Sequence, residues 1–234
     1  MKTIGIIGGS TDIATVEYYN LINKHVREEL GGLHTAEIII NSMDLANSAH
    51  YVNHELWDEG AEYLRTKAQS LARAGADFII CVSNTWHRVS DQFMAGVADT
   101  VPLLHIAEPT AEAIKGKGLR KVALLGTKAT MSSPYLPDLF AKDHGLEIIV
   151  PTDKDQELIN TVIFAELSYN QFTDASRNAY LEIIDELASR GAQGVILGCT
   201  EIGLLVSQSD RPDIPMFDTL RLHAKAAAMK AVHG

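Results

Sequence analysis

The sequence predicts an α/β fold: two similar α/β domains with parallel sheets, related by a pseudo-twofold axis, with the active site in the cleft between them. Three observations lead there. Short apolar, β-branched runs bounded by Gly, Pro or Asn alternate with longer segments of helical period, the pattern of parallel βαβ units. The 234 residues suffice for two domains of roughly 110 residues, each large enough for its own core. The chain also repeats itself. Ala74–Thr85 lines up with Arg190–Glu201, which sets Ser83 against Cys199 at an offset of 116 residues. Ile4–Gly9 matches Val122–Thr127 at 118, and Val101–His105 matches Ile214–Asp218 at 113.

The expected strands are Thr3–Ile7, Ala36–Asn41, Phe78–Val82, Leu103–Ile106, Val122–Leu125, Glu147–Val150, Gly194–Leu197 and Met216–Phe217. Helices fill the gaps. Thr15–Leu30 is closed by Gly31-Gly32, Trp57–Ala74 by Gly75 and Ser176–Arg190 by Gly191, following the preference for glycine just past a helix C-terminus. Ser133-Pro134 reads as an N-cap with proline at the first helical position. Because strand 101–106 is the repeat partner of strand 214–218, the domains are not consecutive blocks. The expected boundaries are 1–107 plus 212–234 for the domain carrying Ser83 and 108–211 for the domain carrying Cys199, with the last helix (Thr219–Val232) on the first domain and the crossings as a hinge.

Composition excludes several classes. With 46% hydrophobic and 21% charged residues the chain reads as an ordinary soluble protein, and no apolar run approaches the roughly 20 residues of a membrane span. Its start lacks a signal-peptide layout, so the cytoplasm is the expected location. Two cysteines make no disulfide framework. A formal charge of −10 argues against nucleic acid, and it requires any site for an anion to create its own local positive potential.

Parallel sheets bind ligands beyond the carboxyl ends of their strands. Gly8-Gly9-Ser10-Thr11, Ser83-Asn84-Thr85, Gly126-Thr127 and Gly198-Cys199-Thr200-Glu201 all fall there, and small or hydroxylated residues let backbone N–H groups approach an anion. A dinucleotide fingerprint is incomplete at Gly5–Gly8, and no His/Cys spacing suggests a metal, so neither a cofactor nor a metal is expected. Cys81 lies within an apolar strand and reads as core; His87 and His105 read as structural. Cys199 and Ser83 are the candidate catalytic pair. Two groups flanking one substrate suit a reaction that removes a proton from one face and adds one to the other. Glu201 fits either a solvated helix-start residue or a member of the site.

These residues carry a resemblance. Along nearly its full length the chain is similar to the aspartate/glutamate racemase family, through Ile4–Gly9, Tyr18-Tyr19 with Ile22-Asn23, Gly75-Ala76-Asp77, Asn84-Thr85-Trp86-His87, Leu124–Thr127 and Gly198-Cys199-Thr200-Glu201-Ile202. The resemblance implies a cofactor-independent amino-acid racemase, usually a homodimer, with two cysteines flanking the α-carbon. By that analogy Asn84, Thr85 and Thr200 hold the α-carboxylate and amino group and Thr127 lines the pocket, while Ser10, Thr11 and Glu201 are substrate-binding candidates from their places at the strand ends.

There are departures. Ser83 stands where most of the family has its first cysteine, as in a branch specific for L-aspartate and L-glutamate that has a hydroxyl residue there. The loop after Asp44 (Leu45–His54) offers no arginine, and Ser168 stands where many relatives have lysine. Tyr51, Asn53 and Ser168 are positional candidates for the distal carboxylate.

The expected mechanism is asymmetric. A thiol has a reference pKa of about 8.5, lowered at helix N-termini, so a partly ionised Cys199 takes the α-proton of the L-enantiomer while Ser83 serves the other face. Fixed N–H dipoles stabilise the carbanion. Alternatives on the same scaffold are a single-cysteine decarboxylase, a cis-trans isomerase of small dicarboxylic acids, or a non-catalytic small-molecule binding protein.

Overall fold

The computed structural model describes residues 1–234 and divides into two compact units, Met1–Ile106 with His223–Gly234, and Ala107–Leu222. The stretch 212–222, expected in the first domain, belongs to the second unit because the strand Met216–Asp218 pairs with the strand Val195–Leu197. The return crossing falls inside the last helix, Thr219–His233. No helix is long and apolar enough to cross a membrane.

In the first unit, β1 (Ile4–Gly8) is the middle strand of a parallel sheet, between β2 (Ile38–Ser42) and β3 (Phe78–Cys81). A strand flanked on both sides must be apolar throughout, and β1 is buried at all five positions. Its Ile4 sits opposite Ile38 on one side and Phe78 on the other. The expected strand 103–106 is reduced to one parallel bridge, Ile79 to Leu103. The chain leaves the ladder because the Ile106 N–H turns away to His87 Nε2, 3.3 Å distant.

Helix α1 (Asp12–Leu30) starts three residues before the expected Thr15, since Thr11 caps it: the Thr11 hydroxyl accepts the Ala14 N–H at 3.1 Å. The segment after Asp44, expected as a loop, is a helix, α2 (Leu45–Asn53). Asp44 is its N-cap, accepting from the Ala46 N–H at 3.0 Å. α3 (Trp57–Arg73) buries Gly60, Ala61, Leu64, Ala68 and Leu71, a stripe at helical spacing. It packs with Ile7, Ile79, Cys81, Trp86 and Phe93 in one core. A side chain at Gly60 would collide with the Trp86 ring. After β3 come a 3₁₀ turn (Thr85–Val89) and α4 (Ser90–Phe93).

The second unit opens with α5 (Ala107–Gly116) and has the sheet order β5 (Glu147–Ile149), β4 (Lys121–Leu125), β6 (Val195–Leu197), β7 (Met216–Asp218), all parallel. Alternate residues of β4 face opposite sides, and each side has its own core. Ala123 and Leu125 join Ile159 and Ile163 of α8 (Asp153–Ala165) and Tyr180, Ile184 and Leu187 of α9 (Asp174–Ser189). Val122 and Leu124 join Ala111 and Ile114 of α5 and Leu136 and Phe140 of a further helix. That helix, Tyr135–His144 (α7, after the short α6, Lys128–Met131), begins one residue later than Ser133-Pro134 predicts. Pro134 already has helical φ, and the Ser133 hydroxyl accepts the Tyr135 N–H at 3.2 Å. The short α10 (Ile202–Leu205) follows β6, and α11 (Thr219–His233) closes the chain.

Both sheets therefore follow one plan. β1 corresponds to β4, β2 to β5, β3 to β6, and the Leu103 bridge to β7.

Candidate active site

In the first unit the ends of β1 and β3 are neighbours, joined by the bond from the Val82 N–H to the Ile7 carbonyl (3.0 Å). The chain leaves β1 through Gly9, whose φ of +85° suits glycine and whose missing Cβ leaves room for the Met43 backbone. Thr11 and Thr15 shape the next turn: Thr15 Oγ1 accepts the Gly9 N–H at 2.9 Å and donates to the Thr11 carbonyl at 2.8 Å. The Thr11 hydroxyl is engaged as a helix cap. Ser10 differs, because its Oγ is buried with no protein partner. A buried hydroxyl left unsatisfied costs about 1–3 kcal/mol, so a ligand that bonds it recovers that energy.

Ser83, Asn84 and Thr85 follow β3 and start the 3₁₀ turn. Ser83 is half-buried and Asn84 buried. The Ser83 hydroxyl meets the Trp86 N–H at 3.4 Å, a weak bond. Its backbone is held more firmly: the carbonyl lies 2.7 Å from His87 Nδ1, while His87 Nε2 faces the Ile106 N–H. An acceptor on one side and a donor on the other require a neutral ring with its proton on Nδ1. Burial, then His105 and His223, hold the His87 pKa well below its usual value. His223 donates from Nε2 to the Leu104 carbonyl and meets Tyr18 Oη through Nδ1, at 2.9 Å each. Burial is the main cause of its drop to about 4. The sequence alone assigns His87 a structural role without naming what it holds, because both partners are backbone groups.

In the second unit the ends of β4 and β6 are joined by the bond from the Gly198 N–H to the Leu125 carbonyl (2.6 Å). Thr127 follows β4 and caps α6, with its hydroxyl 3.0 Å from Thr130 Oγ1. Cys199, Thr200 and Glu201 follow β6. Cys199 is half-buried, whereas Thr200 and Glu201 are buried. Cys199 Sγ donates to Glu201 Oε2 at 3.1 Å, and Thr200 Oγ1 donates to the same oxygen at 2.6 Å. Glu201, 3% exposed, is not a solvated helix-start residue.

The expected low thiol pKa at Cys199 is reversed. Burial, then the nearby Glu201 carboxylate, push it well above its ordinary value, and α10 is a single turn whose dipole offers little compensation. Cys81 is a core residue as expected, fully buried and pushed up to about 12 by burial.

The positional candidates for a distal carboxylate lie in different settings. Ser168 donates to the Ile163 carbonyl at 2.8 Å, and Tyr51 packs against the core of the first unit. Asn53 is exposed at the end of α2. The nearest cation in sequence to the Ser83 turn is Arg88, stacked over the Trp57 ring at 3.8 Å.

The profile of the Asp/Glu/hydantoin racemase family matches residues 4–227. A crystal structure of an Asp/Glu racemase candidate from Yersinia pestis is similar at 42% identity with a TM-score of 0.91, covering 100% of both chains. That of an aspartate racemase homologue from Pyrococcus horikoshii OT3 is similar at 35% identity with a TM-score of 0.84, again covering 100% of both. A glutamate racemase from Desulforudis audaxviator is 26% identical over 177 residues, 74% of this chain and 62% of that protein. Such a match over nearly the whole length means that the chain belongs to the Asp/Glu/hydantoin racemase family.

Proposed function

We propose that the protein is a cofactor-independent racemase of acidic amino acids, aspartate or glutamate, working in the cytoplasm as a homodimer. The observation that carries this reading is the placement of Cys199 and Ser83 at equivalent strand ends of the two halves of a racemase-family chain. In this reading the two residues flank one substrate. Cys199 takes the α-proton of the L-enantiomer, and Ser83, through water, supplies a proton to the other face. Asn84, Thr85 and Thr200 hold the α-carboxylate and amino group, with Ser10, Thr11 and Thr127 around them. The unpaired Ser10 hydroxyl supports a polar ligand at the end of β1. An alkoxide is far too basic to form readily at Ser83, so the serine half is the slower one. Racemisation has an equilibrium constant of one, so kcat/KM is equal in both directions even where kcat and KM differ.

Proton NMR of L- and D-aspartate and L- and D-glutamate in D₂O, with chiral analysis, tests this reading. Deuterium uptake with inversion that disappears in Cys199→Ala is the expected result. No uptake from any of the four would refute it. One observation favours a second reading: a thiol with a raised pKa is a ready proton donor, which suits a single-cysteine decarboxylase protonating one face of an enediolate. Carbon dioxide release from an arylmalonate, without amino-acid exchange, would select it.

A further inference from the structure

The second unit holds a basic cavity at the opposite end of its sheet from Cys199. Its volume is about 340 Å³, and its walls include Lys115 from the end of α5, Leu119 and Arg120 from the turn into β4, and His144 and Leu146 from the end of α7. β4 and β5 begin here, at Lys121 and Glu147, whereas Thr127 and Cys199 follow the far ends of the parallel strands β4 and β6. The cavity is therefore separate from the candidate active site.

The charges around it are unspoken for. Lys121, next along the chain, pairs with Glu147 at 3.0 Å, and the other arginines of the second unit each have a carboxylate: Arg177 with Asp174, Arg190 with Glu186, Arg211 with Asp185 and Asp213, and Arg221 with Asp218. Lys115, Arg120 and His144 have no ion pair. Lys115 and His144 lie in the last turns of their helices, where a cation suits the helix dipole, but Arg120 belongs to no helix. Its backbone is fixed at the cavity wall: the N–H donates to Gln193 Oε1 at 2.9 Å, and the carbonyl accepts the Glu147 N–H at 2.7 Å. The three groups also disfavour one another. Burial, then Lys115, lower the His144 pKa, and Asp143 and Glu112 each pull the other way more weakly than Lys115 pushes. An anion among them would relieve that repulsion.

We propose that this cavity binds an organic phosphate, with the Arg120 guanidinium forked onto the phosphate oxygens and Lys115 and His144 donating beside it. A guanidinium fork matches phosphate, and several donors suit a dianion better than a single negative charge. The backbone N–H groups of Leu119, Gly145 and Leu146 are engaged by the Ile114, Ala141 and Phe140 carbonyls, so side chains must supply the contacts. The volume lies in the range of small-molecule sites and exceeds what a bare phosphate ion fills. Leu119 and Leu146 offer apolar surface to the organic part, and at Gly118 and Gly145 nothing lies within 4 Å of where a side chain would start. In a chain of net charge −10, this is a place where the protein supplies the positive potential an anion needs.

Calorimetric titration of the full chain tests the proposal without any catalytic readout, so its outcome is independent of the racemase reading. The ligands are adenosine 5′-monophosphate, ribose 5-phosphate, inorganic phosphate and L-aspartate. At least one of the two organic phosphates is expected to bind with a dissociation constant below about 1 mM, and which one does so separates a nucleotide from a sugar phosphate. Inorganic phosphate is expected to bind at least about tenfold more weakly. Lys115→Gln with Arg120→Gln is expected to weaken the organic phosphate by at least about tenfold, Arg120→Lys by less, and Cys199→Ala not at all. Added NaCl is expected to weaken it as well. Both replaced side chains are exposed, and an unchanged urea midpoint shows that the double variant is folded. Binding of neither organic phosphate, binding that survives the double variant, inorganic phosphate as tight as the organic ligands, or displacement of them by equimolar L-aspartate would each overturn the proposal.

Discussion

The third strand of each unit ends in the same place and carries opposite chemistry. After β3 stands Ser83, whose own hydroxyl is weakly bonded and whose carbonyl is gripped by a neutral histidine. After β6 stands Cys199, whose thiol proton faces a buried carboxylate. The first end is built for placement, the second for moving a proton. Duplicating a βαβ scaffold reproduces where a side chain sits, because strand order and register fix that. It does not reproduce protonation, which depends on residues two to four positions further along.

The largest expected break in this comparison is Cys199→Ala. It removes the one ionisable member of the pair and is expected to lower α-proton exchange by about 10³-fold or more, measured by NMR in D₂O.

Acid should separate the units next. Both buried neutral histidines described above lie in the first unit. Their folded pKa values are lowered, so between about 6.5 and 4 the unfolded chain binds more protons and stability falls as pH falls. His223 alone accounts for about 3 kcal/mol by pH 4. Urea unfolding across this range, read by amide exchange, is expected to show the first unit opening before the second.

His87→Ala removes the ring between Ser83 and Ile106 and with it two hydrogen bonds to the backbone. A loss of about 2–4 kcal/mol is expected from urea midpoints, with the Cys199 alkylation rate unchanged. Ser83→Cys makes the two ends alike; inversion from either enantiomer is expected to rise by about tenfold. The smallest effect is Ser168→Ala, which loses one bond to the Ile163 carbonyl. About 1 kcal/mol of stability and an unchanged KM are expected, because that hydroxyl is already engaged.

The sequence makes the sheets legible and the contacts at their ends much less so. β1 and β4 stand out because a middle strand of a parallel sheet must be apolar on both faces. The Leu103 segment has the same composition but loses its ladder to a side chain, His87, distant in sequence. α2 hides because six polar or small residues, among them Asn47, Ser48 and His50, mask its period; Asp44 as a cap was its one local signal. Glu201 was legible as a neighbour of Cys199, but its carboxylate turns back across Thr200 onto the thiol, and a one-dimensional pattern carries no side-chain direction.

The central claim, that the two strand ends divide placement and proton transfer unequally, is tested most directly by the ratio of deuterium exchange to inversion, measured separately from each enantiomer at early times in D₂O. From the L-enantiomer, Cys199 forms the carbanion and can return deuterium before the slow serine side acts, so the ratio should exceed one. From the D-enantiomer the thiol captures each carbanion, so the ratio should stay near one. Equal ratios from the two enantiomers would contradict the account.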